Sequence, residues 1–169
     1  MDILEALSSR KSIRKYTDQP ISKEMIQDLL RAAMSAPSAY NQQSWQFVVI
    51  QEKEILQKMA QISPKASMCV KAPLGILVCG DLGAAEAPSF WMQDCSAATQ
   101  NILIAAHAKG LGSVWTAVYP IEDVMGGVRT LLQLPASIIP FSFVVLGYPF
   151  EKTLKDAHFH KERIHENQW

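Results

Sequence analysis

The sequence predicts a domain that combines α-helices with a β-sheet, and two observations carry this prediction. The first is the stretch from Trp91 to Lys109, which is apolar on nearly every side and therefore predicts a long buried helix. The second is a set of short β-prone runs: Trp45 to Ile50, Leu74 to Cys79, Ser113 to Val118 and Ile138 to Gly147. A chain of 169 residues gives one domain a proper core. We therefore expect residues 1–169 to form a single unit.

Two amphipathic helices precede the first strand. Asp2 can cap a short helix that presents three apolar residues on one face, Ile3, Leu4 and Leu7. Ser22 opens a second helix, which Pro37 ends and whose apolar face is Ile26, Leu29, Leu30 and Ala33.

Further helices separate the later strands. Ile55, Leu56 and Met59 give a third helix face, and residues 64–73 are irregular. Gly110 is placed to end the long helix in a left-handed cap, and Gly112 follows where backbone can come close to a large group. Residues 122–132 form a weak helix because Gly126 and Gly127 each cost about 1 kcal/mol against alanine.

The last predicted strand carries a proline. Pro140 cannot donate a ladder hydrogen bond, so it predicts either the start of that strand or an edge position in the sheet.

Composition excludes several classes of partner. The chain has 16 basic and 16 acidic residues and no basic block, so it has no electrostatic footprint for nucleic acid or for an anionic membrane. The longest apolar run in the long helix, Ile102 to Ala106, is far short of the roughly 20 residues of a membrane span. Cys69, Cys79 and Cys95 show neither CxxC nor metal-ligand spacing, and no signal peptide precedes the first helix. We expect buried, reduced thiols in a cytoplasmic protein, and no metal.

The first candidate binding motif is the basic run RKSIRKY, residues 10–16. In an extended segment Arg10, Ser12 and Arg14 point the same way. Two guanidinium groups with a hydroxyl between them suit a phosphate, which needs several donors and positive charge. The spacing alone equally describes a solvated basic run beside a helix end.

The second candidate motif is the loop APSAYNQQSWQF, residues 36–47. Small and amide-bearing side chains crowded into a loop offer donors and acceptors to the edge of a heterocycle. The same composition also describes an ordinary polar turn before a strand.

These motifs, taken together, resemble the nitroreductase family of FMN flavoproteins. The run RKSIRKY is similar to the family's R-R-S-x-R-x-F/Y motif, and residues 36–47 to its A-P-S-x-x-N-x-Q-P-W-x-F signature, with Ser44 in place of proline. The helix and loop ending in AAHAKGLGSVW resemble the family's central helix. The segment from Leu146 to Pro149 resembles the family's L-G-Y-P strand end. The ending HFHKERIHENQW resembles the family's C-terminal motif, with His158 in place of an arginine, and all these motifs occur in the family's order.

The resemblance implies the fold and the partners. We expect the family's α+β fold, with a central, mostly antiparallel sheet flanked by helices. We also expect a homodimer formed along the long helix, with exchanged C-terminal arms from residues 150–169. Two FMN sites would then lie between the subunits.

The resemblance also implies which residues bind FMN. The basic run would grip the phosphate and ribityl chain, the polar loop would cover the flavin of the opposite subunit, and a backbone N–H near Ala117 would point at flavin N5. Arg163 is placed to compensate for the arginine missing at His158. The expected cofactor-binding residues are Arg10, Lys11, Ser12, Arg14, Pro37, Ser38, Ala39, Asn41, Gln43, Trp115, Thr116, Ala117, Val118 and Arg163.

The implied activity is an FMN-dependent oxidoreductase. NADH or NADPH would pass hydride to flavin N5, and a nitroaromatic, a quinone or a free flavin would accept the electrons. Because the cofactor carries the chemistry, no side chain is expected as a catalytic acid or base. The alternative is a flavin-binding carrier or sensor without turnover. A dehalogenating activity would need an added segment covering the substrate, which the sequence lacks.

Overall fold

The computed structural model describes residues 2–83, 85–150 and 159–169. The α-helices in these ranges are α1 (Ile3–Ser9), α2 (Lys23–Met34), α3 (Lys53–Ile62), α4 (Trp91–Ala108) and α5 (Glu122–Leu132). The strands are β1 (Trp45–Ile50), β2 (Leu74–Asp81), β3 (Gly112–Ala117) and β4 (Ile138–Gly147). Short 3₁₀ turns occupy Ala39–Asn41, Pro64–Lys71, Pro88–Phe90 and Lys161–Arg163.

The four strands form one sheet in the order β1-β2-β4-β3, with each neighbouring pair antiparallel. Successive side chains of a strand face opposite sides of a sheet. Ile76 and Val144 therefore lie in the cluster that contains residues of α2 and α4. Leu77 and Phe143 lie in the cluster on the other side, with residues of α3, α5 and the Pro64–Lys71 turn. The predicted α+β class, an antiparallel sheet flanked by helices, is confirmed.

The position of β4 decides between the two explanations of Pro140. β4 pairs with both β2 and β3, so it is a central strand and the edge explanation is wrong. Pro140 lies near the start of β4, opposite Cys79, where the register with β2 shifts between Val78 and Cys79. The irregular pairing accommodates a residue that has no N–H to donate.

The helix ends show which capping predictions hold. Ser22 Oγ accepts a hydrogen bond of 3.2 Å from the backbone N–H of Met25, so α2 begins as predicted. Asp2 occupies the cap position of α1, but its side chain makes no capping hydrogen bond. The apolar face of α1 is not buried either, since Ile3 and Leu4 are 69% and 70% exposed.

The long helix α4 lies across the sheet beside α2. Its buried residues include Trp91, Cys95, Ile102 and Ala106. Gly110 follows with a φ of +79°, which is the left-handed cap that its position predicts. No helix in the described ranges is long and apolar enough to cross a membrane.

Burial governs the chemistry of the three cysteines. Cys69, Cys79 and Cys95 are free and buried. Burial raises the pKa of the Cys69 and Cys79 thiols to about 12 and raises that of Cys95 as well. All three are therefore protonated near neutral pH and are poor nucleophiles. Among the residues that the structure places, no group of His, Cys, Asp or Glu is arranged to hold a metal ion.

Candidate cofactor site

The basic run at residues 10–16 is held against the start of β3. The backbone N–H of Ile13 donates to the carbonyl of Ser113 at 2.9 Å, and Ser12 forms a parallel bridge with Ser113. The Tyr16 hydroxyl, in turn, donates to backbone carbonyls at Ile13 (2.5 Å) and Val145 (3.1 Å). The run is thus an ordered part of the fold, held at Ser12, Ile13 and Tyr16.

Two glycines make this close approach possible. A Cβ added at Gly112 would lie 2.7 Å from Ile13 Cγ2, and one added at Gly147 would lie 2.7 Å from Tyr16 Cβ. Gly110 and Gly112 together were predicted to let the backbone approach something flat or large; a Cβ at Gly112 would meet Ile13, whereas one at Gly110 would meet nothing within 4 Å.

Within the described residues, the run presents cations without anionic partners. Lys11 Nζ is buried, and the described residues offer it no hydrogen-bond partner. In the same ranges neither Arg10 nor Arg14 lies within ion-pair distance of a carboxylate. Ser12 and Arg14 are exposed, whereas Arg10 and Lys11 are half-buried. A buried ammonium without a partner is costly, and a phosphate would supply the missing acceptors. The donor set therefore fits the phosphate end of FMN.

The backbone N–H of Ala117 faces the outer edge of β3. The N–H of Val118 donates to the carbonyl of Phe141 at 3.2 Å, so this pair belongs to the hydrogen-bonded set of the antiparallel ladder. Such pairs alternate with pairs that make no ladder bonds. Ala117, opposite Ser142, is therefore turned with its N–H away from β4. Because β3 is an edge strand, this donor faces the open side of the sheet.

The other predicted residues of β3 differ in what their side chains contact. Thr116 is buried, and its Oγ1 donates to the carbonyl of Phe143 at 2.8 Å. Val118 is 1% exposed and packs in the core. Trp115 is half-buried, with its ring centroid 5.7 Å from that of Phe141. Thr116 and Val118 can therefore reach a ligand only through their backbone.

Asp94 fixes the polar loop to the N-terminal half of α4. Its Oδ1 accepts from the backbone N–H of Ala39 at 2.9 Å, and its Oδ2 accepts from Gln42 Nε2 at 2.6 Å. The other amide atom, Gln42 Oε1, accepts from the backbone N–H of Ala87 at 3.0 Å. Asp94 and Gln42 were not among the predicted site residues. The available signal was a carboxylate inside a largely apolar helix.

The loop backbone is strained. Tyr40, Asn41 and Gln43 have φ values of 53°, 54° and 48°, in the left-handed region that non-glycine residues rarely adopt. Ser38 Oγ accepts from the backbone N–H of Gln43 at 3.0 Å and closes the loop. Strain of this kind, about 1–3 kcal/mol per residue, is often found at ligand sites. Pro37, Asn41 and Gln43 are exposed, and Ser38 and Ala39 are half-buried.

The structure brings some of the predicted residues together and leaves others apart. Residues 10–14 and β3 are in direct contact. The polar loop at residues 36–47 lies apart from the cationic run. The loop is anchored at Asp94, whereas residues 9–11 lie beside His107, about 20 Å further along α4. Arg163 lies in an exposed 3₁₀ turn, and His158 lies outside the described residues. The assignment of these residues to the cofactor remains a prediction.

The described residues define an α+β domain in which a cationic run without carboxylate partners in those ranges lies against the edge strand of an antiparallel sheet. The model of the Nitroreductase family matches residues 7–67 and 64–148, and the chain belongs to this family.

Known proteins agree over the whole length. The chain is 47% identical to a protein of Methanothermobacter thermautotrophicus named "Putative NADH dehydrogenase/NAD(P)H nitroreductase", over 100% of this chain and 88% of that protein. A crystal structure from Parabacteroides distasonis with the same name has a TM-score of 0.94 at 42% identity, covering 99% of this chain and 98% of that one. A Desulfovibrio desulfuricans protein, solved in complex with FMN, has a TM-score of 0.85 at 29% identity, covering 100% and 98%.

Proposed function

We propose that the chain is an FMN-dependent oxidoreductase that passes hydride from NADH or NADPH, through the flavin, to a small-molecule electron acceptor. The observation that carries this proposal is the cationic run at residues 10–14, whose Lys11 ammonium has no hydrogen-bond partner among the described residues and which contacts β3, the strand on which the Ala117 N–H faces away from β4. Relatives named for NAD(P)H-dependent reduction, and one solved with FMN, support it.

Each part of the site has a role in this proposal. Bound FMN supplies the redox chemistry, with N5 as the atom that accepts and donates hydride. Arg10, Lys11, Ser12 and Arg14 hold its phosphate. The backbone N–H of Ala117 would serve as a hydrogen-bond donor to flavin N5. The loop residues Pro37, Ser38, Ala39, Asn41 and Gln43 would cover the flavin bound by a second copy of the chain.

We infer a homodimer from the same arrangement. The anchors of the loop and of the cationic run lie about 20 Å apart along α4, and two copies related by a two-fold axis can bring the loop of one chain to the cationic run of the other. The exposed apolar face of α1, with Ile3 at 69% and Leu4 at 70%, is a candidate for burial between subunits. The exposed tail with Phe159, Ile164 and Trp169 is a second candidate, as an arm that contacts the partner.

We also propose that the protein works in the cytoplasm. Three free, protonated thiols suit a reducing compartment, where disulfides are rare. The balanced charge of 16 basic and 16 acidic residues supports a small-molecule partner and gives no attraction for nucleic acid.

The test of the function starts with the visible absorption spectrum of the purified protein and identification of any released flavin. Bound FMN near one per chain is expected, together with steady oxidation of NADH or NADPH when a nitroaromatic or a quinone is added. Bound FMN without turnover would favour the carrier or sensor. A colourless protein that takes up no added FMN would refute the cofactor assignment.

The dimer is tested separately by sedimentation of the full chain and of a chain truncated after Pro149. We expect the full chain to be a dimer and the truncated chain to dissociate at lower concentration. A truncated chain that stays dimeric and keeps FMN would refute the role of the arm.

A further inference from the structure

A histidine in the central helix contacts the residue that immediately precedes the cationic run. His107 Nε2 and Ser9 Oγ lie 2.8 Å apart, and both groups are partly buried. Ser9 is the last residue of α1, and Arg10 follows it as the C-cap. The contact therefore joins α4 to the point where the chain leaves α1 and enters the proposed phosphate site.

The neighbouring hydrogen bonds determine which atom donates. Ser9 Oγ lies 2.6 Å from the carbonyl oxygen of Glu5, a distance at which a proton must lie between the two oxygens. The single hydroxyl proton of Ser9 is therefore used, and its oxygen accepts from His107 Nε2–H. Burial, together with the charges of Arg10 and Lys11, lowers the pKa of His107, whereas Glu5 acts in the opposite sense. A neutral ring with its proton on Nε2 agrees with this contact.

Among the described residues, the other contacts of the cationic run hold Ile13 and Tyr16 and do not hold its first residue, Arg10. Ile13 is held by Ser113, and Tyr16 by the carbonyls of Ile13 and Val145. Arg10 itself donates only its backbone N–H, to the carbonyl of Ala6 at 3.2 Å, among the contacts that the described residues show. The contact of Ser9 with His107 thus joins this end of the run to α4 through a side-chain hydrogen bond.

We propose that the hydrogen bond from His107 to Ser9 positions Arg10 and Lys11 for the phosphate of FMN, which makes His107 a positioning residue of the cofactor site. This inference rests on the proposed function, because it requires that the cationic run binds phosphate. It predicts that the contact affects recognition of the phosphate and leaves recognition of the flavin ring unchanged.

The experiment compares the dissociation constants of FMN and riboflavin, two ligands that differ only in the phosphate. In His107→Leu, which removes the donor, and in Ser9→Ala, which removes the acceptor, the FMN dissociation constant should rise about fivefold, the effect of one lost hydrogen bond. The riboflavin dissociation constant should not change. His107→Gln retains an N–H in a similar position and should restore most of the FMN affinity.

A double variant separates a direct contact from two independent effects. If the two side chains act through one hydrogen bond, Ser9→Ala combined with His107→Leu should bind FMN no more weakly than either single variant. Ser9→Ala is a mild change at the end of a helix, so it carries the test if His107→Leu does not fold.

The outcomes distinguish this inference from the proposed function. If the wild-type protein binds FMN no more tightly than riboflavin, the phosphate site itself is refuted, and this inference with it. If the wild type prefers FMN and both single variants keep that preference, only the role of His107 is refuted. A parallel loss of FMN and riboflavin would show a general structural role and would also overturn it.

Discussion

Asp94 Oδ2 accepts a hydrogen bond of 2.6 Å from Gln42 Nε2, and this contact joins the central helix to the loop proposed to cover the flavin. Gln42 uses its other amide atom on the backbone of Ala87, so its orientation is fixed. Asp94 is only 3% exposed, and both of its oxygens have donors. The carboxylate is thus a loop anchor. Its hydrogen bonds account for its burial without any role in proton transfer.

Asp94→Asn should therefore lower both stability and FMN affinity. The asparagine can accept from only one of the two donors, and its NH₂ would face the NH₂ of Gln42 or the N–H of Ala39. We expect a loss of roughly 1–3 kcal/mol in the free energy of unfolding, measured in urea. Asp18→Asn removes the same charge at an exposed position and should have little effect. Equal stability of the two variants would show that the loop does not depend on Asp94.

Local patterns predicted most of the fold. The apolar stretch from Trp91 to Lys109 predicted both ends of α4 to within one residue. This was possible because a helix buried on most sides has a mostly apolar sequence, and because a glycine in the left-handed conformation marks the end of the helix. The four β-prone runs gave all four strands of the sheet, with shifts of one or two residues at their ends. The antiparallel arrangement came from the family resemblance.

Contacts between distant parts of the chain could not be predicted. The pairing of Asp94 with Gln42 spans 52 residues, so the carboxylate in the apolar helix could not be matched to its partner from local sequence. The alternation of side chains predicted that Arg10, Ser12 and Arg14 share one side, which remains a prediction, and nothing indicated that Lys11 Nζ would be buried. The residue that packs beside Gly112 could likewise not be predicted, because Ile13 reaches that position only in the folded chain.

Gly112→Ala should weaken FMN binding by displacing the cationic run. The new methyl group would lie 2.7 Å from Ile13 Cγ2 and 2.8 Å from Ile13 Cβ, so Ile13 and its neighbours must shift. Overpacking of this kind costs about 1–3 kcal/mol in stability. FMN affinity, measured by flavin fluorescence, should fall as well.

The matched control is Gly126→Ala in α5. A Cβ at Gly126 meets nothing within 4 Å, and a helical alanine is about 1 kcal/mol more favourable than glycine. This variant should be more stable and should bind FMN normally. If Gly112→Ala also binds FMN normally, the position of Ile13 does not control the cofactor site.

Ser44→Ala should stabilise the protein. Ser44 is 1% exposed, and its Oγ finds no hydrogen-bond partner in the described chain, so removal of the hydroxyl relieves a desolvation cost of about 1 kcal/mol. Its carbonyl keeps the hydrogen bond of 2.7 Å from the N–H of Asp81. Urea unfolding measures the gain. Ser142→Ala is the matched control, because the Ser142 hydroxyl bonds Thr99 Oγ1 at 2.8 Å and its loss should destabilise the fold. A destabilised Ser44→Ala would mean that the hydroxyl has a partner after all.

Arg14→Ala tests the phosphate site most directly. Arg14 is exposed, and in an extended run it is expected to share its side with Ser12. A charge-assisted hydrogen bond contributes about 1.5–3 kcal/mol, so the FMN dissociation constant should rise by roughly 10- to 100-fold, with little change for riboflavin. Lys15→Ala removes the same charge from the adjacent residue, whose side chain points to the other side of an extended segment. It should therefore have a smaller effect on FMN. Equal losses in the two variants would mean that the run attracts FMN only by its overall charge, and an unchanged affinity in Arg14→Ala would remove Arg14 from the site.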